Sequence, residues 1–200
     1  MQDTALAGLP RLVRVADEVR LRGQTLVAIA AAVALFWLMS WLLDQPVDAV
    51  RTALNLAIAA AVAAVPATVV SGRRLREGLA HTMPPPRLSV HETRAQSRER
   101  RTRLSGVLAL AVVLLLVFDR AAAGEGRMAG LVAGLFAVVG AVDWREARRW
   151  EAAERSRQSL LYVLVRPNAL VAPFGVTEVF EVPRLETDRE AGRVEAGYPA

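Results

Sequence analysis

Thr25–Leu43, TLVAIAAAVALFWLMSWLL, decides the fold class. Its nineteen residues carry no charge. At about 1.5 Å per residue, a helix of this length crosses a hydrocarbon core of roughly 30 Å. Arg20 and Arg22 precede it and Asp44 follows it. The run exceeds the apolar core of about 7–15 residues typical of a cleaved signal peptide. Three later apolar runs also require a membrane, so it reads as the first of four spans.

The second span is expected over about Val47–Val70. The intervening Asp44-Gln45-Pro46 is short enough to make a tight hairpin. Asp48 and Arg51 are i, i+3 partners near its start, where Arg51 can snorkel to the surface. Spans three and four are Leu104–Phe118 and Met128–Val142. Each apolar core has only fifteen residues and needs flanking residues to complete a crossing.

On the N-terminal side, Leu12, Val15, Ala16 and Val19 follow i, i+3, i+4, i+7 spacing. This predicts an amphipathic helix that ends near Gly23. Residues 71–104, between spans two and three, carry nine Arg against three Glu. Pro84-Pro85-Pro86 divides this stretch, and Ser89 with Glu92 fits a capping box that opens a helix. After span four the sequence DWREARRWEAAERSRQ (143–158) predicts a polar helix. Leu160–Val165, Ala169–Phe174 and Val176–Val182 predict three short strands, with Arg166-Pro167-Asn168 as a turn.

The expected fold is therefore an all-α integral membrane protein of four transmembrane helices in two hairpins. A cytosolic helix and a small β-hairpin or meander form its C-terminal appendage. The divisions are an amphipathic N-terminal segment (1–24), a first hairpin (25–70), a basic loop (71–103) and a second hairpin (104–142). A helix with short strands (143–182) and a charged tail lacking structure (183–200) follow.

Charge agrees with this plan. The N-terminal segment and the long loop hold four and nine Arg, whereas the two short connections are near neutral or acidic. The positive-inside rule then places both termini in the cytosol. All 25 basic residues are Arg, in a chain of net charge +5 that is also rich in Ala, Gly and Pro. These residue types have GC-rich codons and point to a bacterial protein of the cytoplasmic (inner) membrane. Cysteine is absent, which removes disulfides and thiol chemistry.

The best-defined pattern is a glycine zipper, Gly126-x-x-x-Gly130-x-x-x-Gly134, with Ala129, Ala133, Ala137 and Ala141 beside it. Small residues at this spacing let a second helix backbone approach closely. Span two offers Ala53, Ala57 and Ala61, and also Ala60, Ala64 and Ala67, as the answering face. A second copy of the zipper is the alternative partner. Asn55, deep in span two, requires a hydrogen-bond partner, most simply another helix. Val112–Phe118 is bulky and is expected to face lipid.

The cluster Arg98, Arg100, Arg101 and Arg103 offers contact with lipid headgroups or a partner. No aromatic residue in the loop stacks on bases, which argues against nucleic acid. His81, His91 and Glu92 straddle the proline triplet and imply no metal. Gly124-x-Gly126-x-x-x-Gly130 is one residue too long for a dinucleotide fingerprint, and no P-loop or nucleophile elbow is present. No catalytic residue, cofactor or metal is therefore implied. The partners implied are the lipid bilayer and a membrane protein, or a second copy.

These features suit a non-catalytic structural or accessory subunit that presents cytosolic elements to a partner. One alternative is a homo-oligomeric channel, transporter or lysis-type pore. It needs several polar residues on one span face, where essentially Asn55 alone stands. The other is a membrane enzyme acting on lipid-linked phosphate substrates. It needs a base or nucleophile near the interface, where only generic acids and two His are found.

Overall fold

The apolar runs become the central parts of four long helices. The computed structural model describes residues 11–43, 48–86, 90–92, 94–121, 127–165 and 178–184. The helices are α1 (Val15–Leu42), α2 (Ala49–Ala80), α3 (Arg94–Ala121) and α4 (Arg127–Arg157). With 28 to 32 residues each, they are roughly 42–48 Å long. All four are long and apolar enough to cross a membrane. Much of their outer surface is apolar and open: Val50 is 79% exposed and Phe118 is 64% exposed.

The helices outrun their apolar cores. α2 continues beyond Val70 to Ala80, and α3 begins at Arg94 rather than Leu104. The loop expected over 71–103 is thus reduced to 81–93. The end of an apolar run does not end a helix, because Arg, Leu, Glu and Ala all favour it. The stop comes near Pro84–Pro86, where backbone N–H donors are lost. α4 likewise passes from Val142 into the polar 143–157 segment without a break. Asp48 caps α2 by accepting a hydrogen bond from the Arg51 backbone N–H at 3.0 Å.

Among the described residues, five short strands form one sheet: β1 (Arg11–Arg14), β2 (Thr82–Met83), β3 (Val90–His91), β4 (Ser159–Val165) and β5 (Val179–Pro183). Their order is β2-β5-β4-β1-β3. β4 pairs antiparallel with both β1 and β5, while β2 and β3 add in parallel at the edges. The antiparallel pair β4–β5 matches two of the three strands expected in the C-terminal region, and the third, Ala169–Phe174, lies outside the described residues. The sheet differs from the expected appendage in that β1, β2 and β3 join it from elsewhere in the chain. A two-stranded ribbon is marginal alone, and β1 supplies the third strand.

Two further expectations change accordingly. The N-terminal helix starts at Val15, so Leu12 belongs to a strand, although Val15, Ala16 and Val19 do lie on the helix. The residues after Ser89 are also not helical: Val90–His91 pairs with Arg11–Leu12, and the Glu92 N–H donates to the Leu12 carbonyl at 3.1 Å. Ser89 itself lies outside the described residues, as do Gly126 and 185–200.

The sheet draws on the N-terminal segment, the α2–α3 connection and the C-terminal region, so all three meet at one end of the helices. α1 and α3 leave that end, and α2 and α4 return to it. α4 packs extensively on α1 and α2, whereas α3 touches its neighbours lightly. Strand alternation sorts the sheet's two faces. Val13, Leu161, Val163, Val165 and Val179 join Val15, Ala16, Val19, Ala147 and Trp150 in the core between sheet and helices. Leu12, Tyr162, Phe180 and Val182 form a smaller cluster on the other face. Farther along the helices, Ile29, Val33 and Trp37 of α1 pack on Ala129 and Ala133 of α4.

Trp150 is the keystone of the first core. It is fully buried, and its indole N–H donates to Glu146 Oε1 at 3.2 Å. α2 accommodates it at Gly78, where an added Cβ would lie 2.7 Å from the indole. Trp150→Ala should lower stability by about 3–5 kcal/mol, the usual range for emptying a buried aromatic site. Thermal or denaturant unfolding in detergent checks this; a loss under about 1 kcal/mol would show that the sheet does not depend on the wedge.

Candidate functional site

The candidate site is the charged junction where the apolar helices meet the sheet. Several ionic groups here are buried, and burying a charge without a partner is unfavourable. α1 and α4 run antiparallel, and three charge pairs between α4 and the stretch from Arg14, at the end of β1, to Arg22 of α1 follow in reverse order. Arg14 Nη2 lies 2.5 Å from Glu154 Oε2, and its Nε is 3.0 Å from both carboxylate oxygens. Glu154 is fully buried and also accepts the Leu161 backbone N–H at 3.2 Å, which ties the pair to β4. Arg20 pairs with Glu151. Arg22 grips Asp143 with two bonds, Nε–Oδ2 at 2.6 Å and Nη2–Oδ1 at 2.9 Å.

Arg100 of α3 joins the same layer. It donates to Glu18 of α1 at 2.5 Å and to Glu92 at 3.0 and 3.2 Å. All three side chains are under a tenth exposed. One cation between two carboxylates thus clamps α3 to α1 and to the segment carrying β3. At the opposite edge, Arg157 pairs with Glu181 of β5 at 3.4 Å and donates to the Leu79 carbonyl at 2.9 Å. The Ser159 hydroxyl, with help from Thr82 and Arg157, holds the Glu181 carboxyl below the usual carboxylate range despite partial burial. Its contribution to stability is therefore present above the ordinary Glu range and is lost on acidification through the lower, folded value.

Glycines set the spacing above this layer. A Cβ on Gly23 would lie 2.8 Å from the Gly140 carbonyl, and one on Gly140 would lie 2.8 Å from the Gly23 carbonyl. Gly23 therefore does not end the first helix. Its close approach to α4 offsets the roughly 1 kcal/mol that Gly costs within a helix. Gly130 and Gly134 lie against α2. A Cβ at Gly130 would be 2.7 Å from the Thr52 carbonyl, and one at Gly134 would be closer still to that of Leu56.

The α2 face that meets these glycines carries Thr52, Leu56 and Ala59. Ala53, Ala57 and Ala61 are exposed instead, which corrects their assignment to the contact. The alanine series is a by-product of α2's composition: the helical step places the contact one position away. Asn55, Ala60, Ala64 and Ala67 are half-buried beside it. Ala53 lines an apolar groove of about 260 Å³ between α1, α2 and α4, together with Trp37 and Trp41.

The expected arginine cluster also divides. Arg100 is held inside the protein and is unavailable for headgroup contact, because Glu18 and Glu92 enclose it. Arg98 and Arg101 are exposed, as is Arg103, which pairs with Glu99 at 2.6 Å. Sequence reasoning missed the Gly23–Gly140 contact and the charge ladder. A signal existed only for the ladder: Asp143, Glu151 and Glu154 sit on or beside an apolar helical stripe. No group of three or more potential metal ligands occurs among the described residues.

No protein-family model, curated protein or solved structure matches the chain.

Gly130→Leu should separate α4 from α2 and lower stability by about 2 kcal/mol or more, as overpacking does. Val113→Leu, at a position 55% exposed on α3, should leave it unchanged within about 0.5 kcal/mol. Paired melting curves in one detergent decide the matter; equal curves would mean that the Gly130 contact bears no load.

Proposed function

We propose that the chain is a non-catalytic multi-pass membrane protein, a structural or accessory subunit whose four helices hold the sheet against one membrane face for a partner to use. The observation carrying this reading is that two buried carboxylates of the junction are each held at both oxygens by one arginine. Both oxygens of Asp143 are taken by Arg22 of α1, and both of Glu154 by Arg14 at the end of β1. A carboxylate saturated in this way fixes helix position and has little freedom for proton transfer. Gly130 and Gly134 are occupied by α2, so the zipper supports packing within one chain better than a homo-oligomeric pore.

The exposed apolar surfaces of α1, α2 and α3 suit lipid, and the Arg-rich segments gather at the sheet's end. By the positive-inside rule that end is cytosolic, with both termini there. A bacterial inner membrane remains the reading that the composition favours.

Topology is tested by single cysteines on the cysteine-free background. A Cys at Met83 should react with an impermeant reagent only after cells are opened, and a Cys at Leu43 should react in intact cells. The reverse pattern would contradict the orientation, and recovery in the soluble fraction without detergent would contradict the membrane reading. Purification in mild detergent should yield a stoichiometric heteromer; a lone chain would contradict the accessory role.

A further inference from the structure

Arg74 stands at the sheet-side end of a cleft between α2 and α4. The cleft has a volume of about 270 Å³. Ala63, Ala67 and Val70 of α2 and Leu135 and Val139 of α4 make its apolar walls. Asp143 lines it too, but both of its oxygens are bound by Arg22.

Arg74 differs from the other arginines of this layer. Arg14, Arg20, Arg22 and Arg100 are all ion-paired. Its neighbour Arg73 pairs with Glu77 at 2.6 Å. Arg74 is half-buried, yet it makes no hydrogen bond or ion pair with any described residue. The charges of Arg22, Glu146 and Asp143 act on it only at longer range. A guanidinium carries five donors, and removing such a group from water without a partner is unfavourable.

The cleft also has a direction. One turn beyond Arg74, Gly78 touches Trp150 and Val179 of the sheet-side core. In the other direction the walls are wholly apolar. An amphiphile with its head toward the sheet and its tail toward the middle of the helices matches that order.

We propose that this cleft binds an anionic phospholipid, with its phosphate on Arg74 and one acyl chain along the apolar walls. The proposal rests on the membrane-spanning reading above. Arginine's planar fork matches phosphate oxygens bidentately. Basic pockets between helices at the cytosolic side of a membrane take anionic headgroups in the same way. The lipid supplies the acceptor that Arg74 lacks and fills a slot that would otherwise expose small side chains.

The test uses the full chain in nanodiscs of phosphatidylcholine alone or mixed with phosphatidylglycerol. Native mass spectrometry of the released protein reads retained phosphatidylglycerol, and titration reads its affinity. The wild type should retain this lipid. Arg74→Gln should weaken it at least about fivefold, given the usual contribution of one basic residue near an anionic surface. Val139→Trp, which fills the slot and leaves Arg74 in place, should weaken it as well. Arg149→Gln, an exposed arginine on α4, should retain it as the wild type does. Arg74→Lys keeps the charge and should hold the lipid better than Arg74→Gln, and circular dichroism shows whether each variant is folded.

Unchanged retention in folded Arg74→Gln and Val139→Trp overturns the site. Full displacement of the lipid by inorganic phosphate would also overturn it, because the slot would then contribute nothing. A chain that never enters the discs overturns the membrane reading itself, so the two failures are distinguishable.

Discussion

Neutralisation of charge at the base of the helices is the constraint on which the rest of the structure depends. An unpaired ion in this layer would be removed from water without compensation. At three positions the chain meets the requirement by matching α1, and Arg14 just before it, to α4: Arg14 with Glu154, Arg20 with Glu151 and Arg22 with Asp143. Because the helices are antiparallel, only one register satisfies all three pairs. Gly23 and Gly140 then let the backbones touch just beyond the ladder. Charge selects the register, and the missing side chains set the distance.

The sheet is a consequence of that alignment. Its strands come from three parts of the chain far apart in sequence, and β2 and β3 have only two residues each. Such strands form no stable ladder alone. They are held because α1 delivers β1, α4 delivers β4 directly from its C-terminus, and Trp150 fills the space between sheet and helices. Arg100 adds α3 to this frame by bridging Glu18 and Glu92. The result is a sheet whose position is set by the helices.

The four helices were legible because an apolar run of sufficient length has few other uses. Their true ends were less so, since a helix does not register the end of an apolar run at Val70 or Val142: α2 stops shortly before Pro84–Pro86, and α4 stops before Gln158, whose φ is positive. β1 was hidden for a different reason. Leu12 fits the helical stripe of Val15, Ala16 and Val19 by spacing alone, and four residues are too few for strand alternation to compete. Gly130 and Gly134 drew notice through their period, whereas Gly23 and Gly140 are single residues that meet only in three dimensions. Arg100 looked like its neighbours Arg98 and Arg101. Its distinction is non-local: Glu18 lies 82 residues away. The alanines of α2 misled because nearly every face of that helix carries one.

The most direct test of this account is a double-mutant cycle on Arg22 and Asp143. Each single change to Ala should lower stability by about 3–5 kcal/mol, because it leaves the partner buried and unpaired. The double variant should lose much less than the sum, with a coupling of about 1–3 kcal/mol. Helix content and sheet-side protection from hydrogen exchange should recover with it. Additivity within about 0.5 kcal/mol would show that the two side chains do not hold the helices in register, and the account of the junction would fail.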